Sequence, residues 1–382
     1  MTRWLTVLAV AIGVLTALLL LPRLVDLRLN RVLQKPPYAA PQWARELARG
    51  AVDLHADPLL WGRDLLARGR GELDVPRLRE IDAALQVFGV VTHSPAGMNV
   101  SANRTDALDT ITPLAVFSLW PARTWTSKRE RALYEAERLQ ETVARAGGQL
   151  MLVKSRADLE ILVQARAHGS HSVGALLALE GSQALEGDLA AIDTLYAAGF
   201  RMMAPTHFVD TEISGSAHGT GKGGLTPVGR EWLGKLEEKR ILVDLAHASP
   251  QAVDEVLALA KRPLVVSHTG VKGTCDSPRN LSDAQLHKLA RNGALVGIGY
   301  WKEATCGTDA RAVARAMRHA ASVMGVGHVA LGSDFDGAVV EPFDVTGLPL
   351  LAAAMREEKF TDEQIRAVFS QNALRFLSET LP

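Results

Sequence analysis

The side chains best suited to chemistry in this sequence stand at the ends of short apolar runs. In Val52-Asp53-Leu54-His55-Ala56-Asp57 the two-residue period of a strand puts His55 and Asp57 on one side, at the C-terminal end. Other runs close on Glu180, His247, His268 and Asp334. A lone histidine at a strand end usually just satisfies a hydrogen bond. Imidazoles and carboxylates ending five separate apolar strands are harder to dismiss, because gathered without a cation they would bury uncompensated charge. A nitrogen and oxygen donor set without thiolate suits zinc, with manganese, cobalt or iron open on the same chemistry.

For these ends to meet, the strands carrying them must run parallel and side by side. Eight candidate strands follow residue 40, at 51–57, 84–93, 174–180, 200–207, 241–247, 264–268, 294–299 and 329–334. Most are near-continuous Val, Ile and Leu segments, as expected of parallel strands covered on both faces. Good helix formers lie between them, at 128–144, 250–260 and 309–324, and Ser249-Pro250 reads as a helix start. Eight such units predict a (β/α)8 TIM-type barrel, in which the strand ends share one mouth. A ninth run, 150–153, has to lie outside that ring or replace a member. No Gly-x-Gly-x-x-Gly turn follows the first strand and no Walker lysine pattern occurs, which lowers the nucleotide-binding reading. The Gly-rich stretch 214–224 does not follow a strand in the Walker manner and reads as an active-site loop, with His218 a candidate to touch substrate.

Charge and composition narrow the partners. With 42 Lys+Arg against 42 Asp+Glu the chain has no basic surplus for nucleic acid, and 47% hydrophobic with 22% charged residues is an ordinary globular composition. The balance is uneven, however: the first 35 residues hold five basic side chains and one acid, leaving 37 basic against 41 acidic residues beyond them. Trp4 to Pro22 is an uncharged run of 19 residues; as a helix rising about 1.5 Å per residue it matches a bilayer's hydrocarbon thickness. No small-x-small cleavage site follows. The reading is therefore an uncleaved N-terminal transmembrane helix, with residues 1–35 as membrane anchor and linker and 40–382 as the soluble domain; Gln34-Lys35-Pro36-Pro37-Tyr38 is the expected linker. Arg23, Arg28, Arg31 and Lys35 outnumber Arg3, which by the positive-inside rule keeps the C-terminal side cytoplasmic. Cys275 and Cys306 are too few for a disulfide scaffold and read as free thiols.

Several motifs in order carry a resemblance: the 52–57 segment, Leu179-Glu180-Gly181, Thr206-His207-Phe208, Asp244-Leu245-Ala246-His247-Ala248-Ser249, Val266-Ser267-His268-Thr269 with Pro278-Arg279-Asn280, and Gly332-Ser333-Asp334-Phe335-Asp336-Gly337. From about residue 50 to about 375 the chain resembles the membrane dipeptidase (renal dipeptidase) family of the amidohydrolase superfamily. The resemblance implies a zinc-dependent dipeptidase, acting on dipeptides through a metal-bridging hydroxide with two Zn2+ per chain. On the matching positions His55, Asp57 and Glu180 would hold one ion and Glu180, His247 and His268 the other, with Glu180 bridging. Asp334 would take the proton of the attacking water and pass it to the leaving amine, with Asp336 as competitor. His207 would polarise the scissile carbonyl, and Arg279 would pair with the substrate's C-terminal carboxylate, which selects dipeptides over longer peptides. Gln183 stands where animal members have histidine, a change to the pocket and not to the metals. Asp53 and His93 take supporting roles; His168, His171, His287, His319 and His328 are unrelated to the site. The resemblance also implies a homodimer, and a peptide-processing role favours an extracytoplasmic (periplasmic) catalytic domain against the charge rule. Two alternatives remain at this stage: another amidohydrolase reaction, such as lactam, lactone or N-acyl amino acid hydrolysis, and a non-catalytic membrane-tethered binding protein.

Overall fold

In a computed structural model, which describes residues 2–382 and few side chains before residue 18, the alternation of apolar runs and helix formers becomes a curled parallel sheet. Its strands are β1 (Val52–Ala56), β2 (Leu85–Val91), β3 (Val173–Glu180), β4 (Phe200–Met203), β5 (Leu242–Val243), β6 (Val265–Thr269), β7 (Leu295–Ile298) and β8 (Val329–Leu331). They lie in the order β5-β4-β3-β2-β1-β8-β7-β6. A parallel bridge between Asp244 and Val265 links the two outer members, so the sheet curls onto itself in a manner consistent with a (β/α)8 barrel. The ninth run is the short strand Leu150–Leu152, which pairs with β3 off the path of the ring.

Neighbouring residues on each strand enter different clusters. Val52, Leu85, Leu176, Met202, Leu242, Val265, Leu295 and Ala330, one from every strand, share a buried cluster that reaches Phe376 and Leu377 of the C-terminal helix. This is the filled interior expected of a small parallel barrel. The next residues along, including Leu177, Val243, Val266, Val296 and Leu331, join a larger cluster with Trp232, Met317 and Met355 of the surrounding helices. Burial on both faces explains why the strands read as continuous apolar runs.

The ladders are shorter than the sequence segments at the ends that matter. β4 stops before His207, β5 before His247 and β8 before Asp334. His247 and Asp334 are left-handed, with φ of 62° and 72°, so the chain turns sharply as it leaves the sheet.

Two expectations at the periphery are corrected. Residues 31–38 are no free linker: Arg31–Val32 pairs in parallel with Val340–Glu341, Leu33 N donates to Glu341 O (2.9 Å) and Asp344 N donates to the Tyr38 hydroxyl (2.9 Å). Cys275 and Cys306 are not free thiols but a disulfide spanning 31 residues; spacing alone could not signal it, because the loops after β6 and β7 meet only once the barrel forms. Helix α1 covers Thr2–Leu29. The expected span Trp4 to Pro22 falls largely on side chains outside the described residues, and among the described residues no helix is long and apolar enough to cross a membrane.

Candidate active site

Period-two alternation on β1 and the sharp turns after the other strands bring the polar ends to one point. Glu180, the last residue of β3, lies at the centre. Its Oε1 is 2.8 Å from His247 Nε2 and 3.3 Å from His268 Nε2, while its Oε2 is 3.5 Å from His55 Nε2. Asp57 Oδ1 and Asp334 Oδ1 approach the same His55 nitrogen at 3.3 and 3.9 Å, and His207 Nε2 is 3.6 Å from Glu180 Oε1. All of these residues are buried. Three groups have ligand atoms close enough to share a cation: His55, Asp57 and Glu180; His55, His268 and Asp334; and Glu180, His207 and His247.

Supporting bonds set which ring nitrogen faces the cluster. Ser267 Oγ donates its single proton to Asp244 Oδ2 (2.5 Å), so at 2.9 Å from His268 Nδ1 it acts as acceptor and leaves the Nε2 lone pair free. The His93 carbonyl does the same for His207 by accepting from Nδ1 (3.3 Å). Burial holds His247 and His268 well below the usual histidine range, with the Arg279 charge acting in the same direction, so both rings are neutral and able to ligate. On Glu180 burial raises the pKa, but the surrounding imidazoles outweigh it and keep the carboxylate ionised. Asp334 is pushed well above the carboxylate range by burial, reinforced by Asp57 and Glu180 against the pull of His55 and Arg279.

The donor set fits a cation by a separate criterion. His55 Nε2 and Asp57 Oδ1, both at the cluster, are buried without a hydrogen-bond partner, a costly state for groups that converge on one spot.

Asp334 and Asp336, alike in sequence, have different surroundings. Asp336 accepts from Glu72 N (2.8 Å) and pairs with Arg63 (2.7 Å), so it fastens the loop. Asp334 faces the histidines. Arg279 donates to the His268 carbonyl (3.0 Å), and its guanidinium lies 4.5 Å from the Trp301 ring centroid. His218 stacks on Phe208, donates through Nδ1 to Val100 O (2.9 Å), and has Nε2 buried without a partner; burial lowers its pKa to about 3. His93 is likewise lowered by burial, to about 4. Asp53 accepts from His55 N (3.0 Å) and Ser333 N (3.1 Å), tying β1 to the Asp334 turn.

Gly89, Asp244 and Trp301 carried no role in the sequence reading. A Cβ on Gly89 would overlap Asp57 Oδ1 and His55 Cε1, and the available signal was a glycine inside a strongly apolar strand. Asp244 sits three residues before His247, yet its partner Ser267 is on another strand. Nothing local marks Trp301.

A family model for membrane dipeptidase, peptidase family M19, matches residues 47–381. The chain belongs to that family. As a member of the membrane dipeptidase family it is a metallo-dipeptidase, a hydrolase of peptide bonds. Among its relatives, dipeptidase verJ of Clonostachys rogersoniana is 29% identical over 218 residues, 54% of this chain and 55% of that one. A protein of the pqqA 5′ region of Klebsiella pneumoniae is 28% identical over 254 residues, 63% of this chain and 92% of that one. A solved metallopeptidase from Rhodobacter sphaeroides, bound to a phosphinate mimic of the dipeptide L-Ala-D-Ala, superposes with a TM-score of 0.71 at 26% identity, covering 87% of this chain and 99% of that one.

Proposed function

We propose that this membrane dipeptidase family member works with two zinc ions, one held by His55, Asp57 and Glu180 and the other by Glu180, His247 and His268. The observation that carries the reading is the division of Glu180: one oxygen faces His247 and His268, the other His55. A carboxylate serving two cations needs this arrangement. Bound there, the cations would supply Lewis acidity to the scissile carbonyl and make a water easier to deprotonate.

The chain's own groups account for the remaining requirements. Asp334 accepts the proton from the attacking water and returns it to the departing amine, a role suited to a buried carboxyl that faces the cluster beside His55. His207 Nε2 faces the cluster, where it would polarise the scissile carbonyl. Arg279, braced by the His268 carbonyl and Trp301, takes the substrate's terminal carboxylate with its planar fork. A tripeptide would bring an amide to that guanidinium instead.

The Rhodobacter sphaeroides neighbour and its L-Ala-D-Ala mimic support testing dipeptides with a D-residue at the C-terminal position. The disulfide supports an extracytoplasmic catalytic domain, since such bonds persist in oxidising compartments. The uncharged run before Arg23 supports an anchor on the membrane.

Metal analysis combined with a dipeptide assay tests the reading. About two zinc per chain and chelator-sensitive turnover are expected, and Glu180→Gln should lose metal and activity together. A metal-free protein that turns over, or a Glu180→Gln variant retaining both ions, overturns it.

A further inference from the structure

The active site opens into a cavity of about 530 Å3. At its inner end stand Asp57, Glu180, His207, His247, Arg279 and Asp334. Its outer wall is apolar, and part of that wall comes from outside the barrel: Leu21, Pro22, Val25 and Leu29 of α1 line it. Positions 22, 25 and 29 recur at helical spacing, so they share one face, and Val25 packs against a buried cluster containing Leu60, Trp61 and Ile111.

An anchor has no need to be held in this place, yet α1 is fastened firmly. Asp26 is 2% exposed. Its carboxylate accepts from Arg63 Nε (3.0 Å), Arg70 Nε (2.7 Å) and Asn30 Nδ2 (2.9 Å). Asn30 Oδ1 then accepts from Ala338 N (2.9 Å), and Arg63 also pairs with Asp336. The end of α1 is thus fixed to the loop that carries Asp334. The apolar face is left towards the cavity, with Leu21 and Leu29 still 42% and 37% exposed.

We infer that the last turns of α1, through Val25 and Leu29, form a specificity wall that receives an apolar side chain on the N-terminal residue of the dipeptide. This rests on the dipeptidase reading. If Arg279 holds the terminal carboxylate and the cluster holds the scissile bond, the side chain of the residue before that bond is free to project into the apolar space. Its volume lies within the roughly 300 to 1,000 Å3 of small-molecule sites that are mostly apolar with a few placed polar groups. Leucine or phenylalanine there would bury surface against α1, whereas glycine would leave the wall bare.

The test compares kcat/KM for Leu-Gly and Phe-Gly with that for Gly-Gly on the full, zinc-loaded chain. The two variants are Leu29→Ser, which makes the wall polar, and Val25→Trp, which fills the space, with zinc content measured for each. The Leu-Gly to Gly-Gly ratio is expected to fall about tenfold or more in both, the scale of a methylene-sized change in an apolar pocket. A ratio that stays constant in both variants while zinc is retained overturns the wall and leaves the dipeptidase reading standing. Failure of the unaltered, zinc-loaded chain to cleave any dipeptide removes both. Should Val25→Trp fold poorly, shown by lost zinc, Leu29→Ser decides alone.

Discussion

At the scale of single residues, the site depends as much on what is absent as on its ligands. Gly89 leaves the space in which His55 and Asp57 lie, and Gly89→Ala should displace both. Metal affinity should fall roughly 10- to 100-fold, as for removal of groups that orient ligands. Titration against a competing chelator measures it, and unchanged affinity would mean the strand yields instead. Arg279→Lys keeps the charge but loses the fork and the contact with Trp301; KM should rise by roughly tenfold with kcat changed less, and steady-state kinetics on one dipeptide separate the two. His55, Asp57, Glu180, His247, His268 and Asp334 were legible because each ends an apolar run. Gly89 and Ser267 were not, because their significance lies in atoms contributed by other strands. Asp334 and Asp336 could not be told apart by spacing; Arg63 and the Glu72 amide distinguish them in space.

At the scale of elements, the strands were readable and the loops were not. The apolar runs coincide with all eight strands, while each ladder ends where a side chain must leave it for the site. The disulfide belongs to the loops. It joins the segment carrying Arg279 to the turn carrying Trp301, the two surfaces that meet in the guanidinium contact. Closing 31 residues restrains the unfolded chain by about 3 to 4 kcal/mol in the entropy model. Replacing both cysteines with serine should lower the melting temperature and raise KM while leaving bound zinc unchanged. A rise in KM with no thermal effect, or the reverse, would show that the bond serves only one of these ends.

For the whole molecule, the N-terminal segment is the part most altered by three dimensions. Its charges suggested an anchor followed by a loose connection, whereas Asp26, Asn30 and the Arg31–Val32 strand attach it to the barrel. Burial pushes the Asp26 carboxyl up, but Arg63, Asn30 and Arg70 outweigh it and hold it below its usual 3.8. A carboxylate lowered in the folded state stabilises docking above that usual value and ceases to do so as pH falls through the lowered one. Cleavage by a trypsin-like protease after Arg28 and Arg31 should therefore be slow at neutral pH, and Asp26→Asn should accelerate it there. Equal cleavage of the two proteins would show that docking does not depend on this charge.

β1 and β8 pair through Asp53 and Leu331, residues 278 positions apart (331 − 53). During synthesis His55 and Asp57 emerge early, and His268 completes the proposed ligand set while β7, β8 and the C-terminal helix are still to come. Until β8 arrives, β1 has an open edge and its ring has no last member, so the five side chains exist before the geometry that makes them a site. A nascent chain stopped before residue 329 would carry every proposed ligand together with an exposed strand edge, the usual starting point for aggregation. The order of the strands thus makes the arrival of Val329–Leu331 the step that closes the edge of β1 and gives the proposed ligands their geometry.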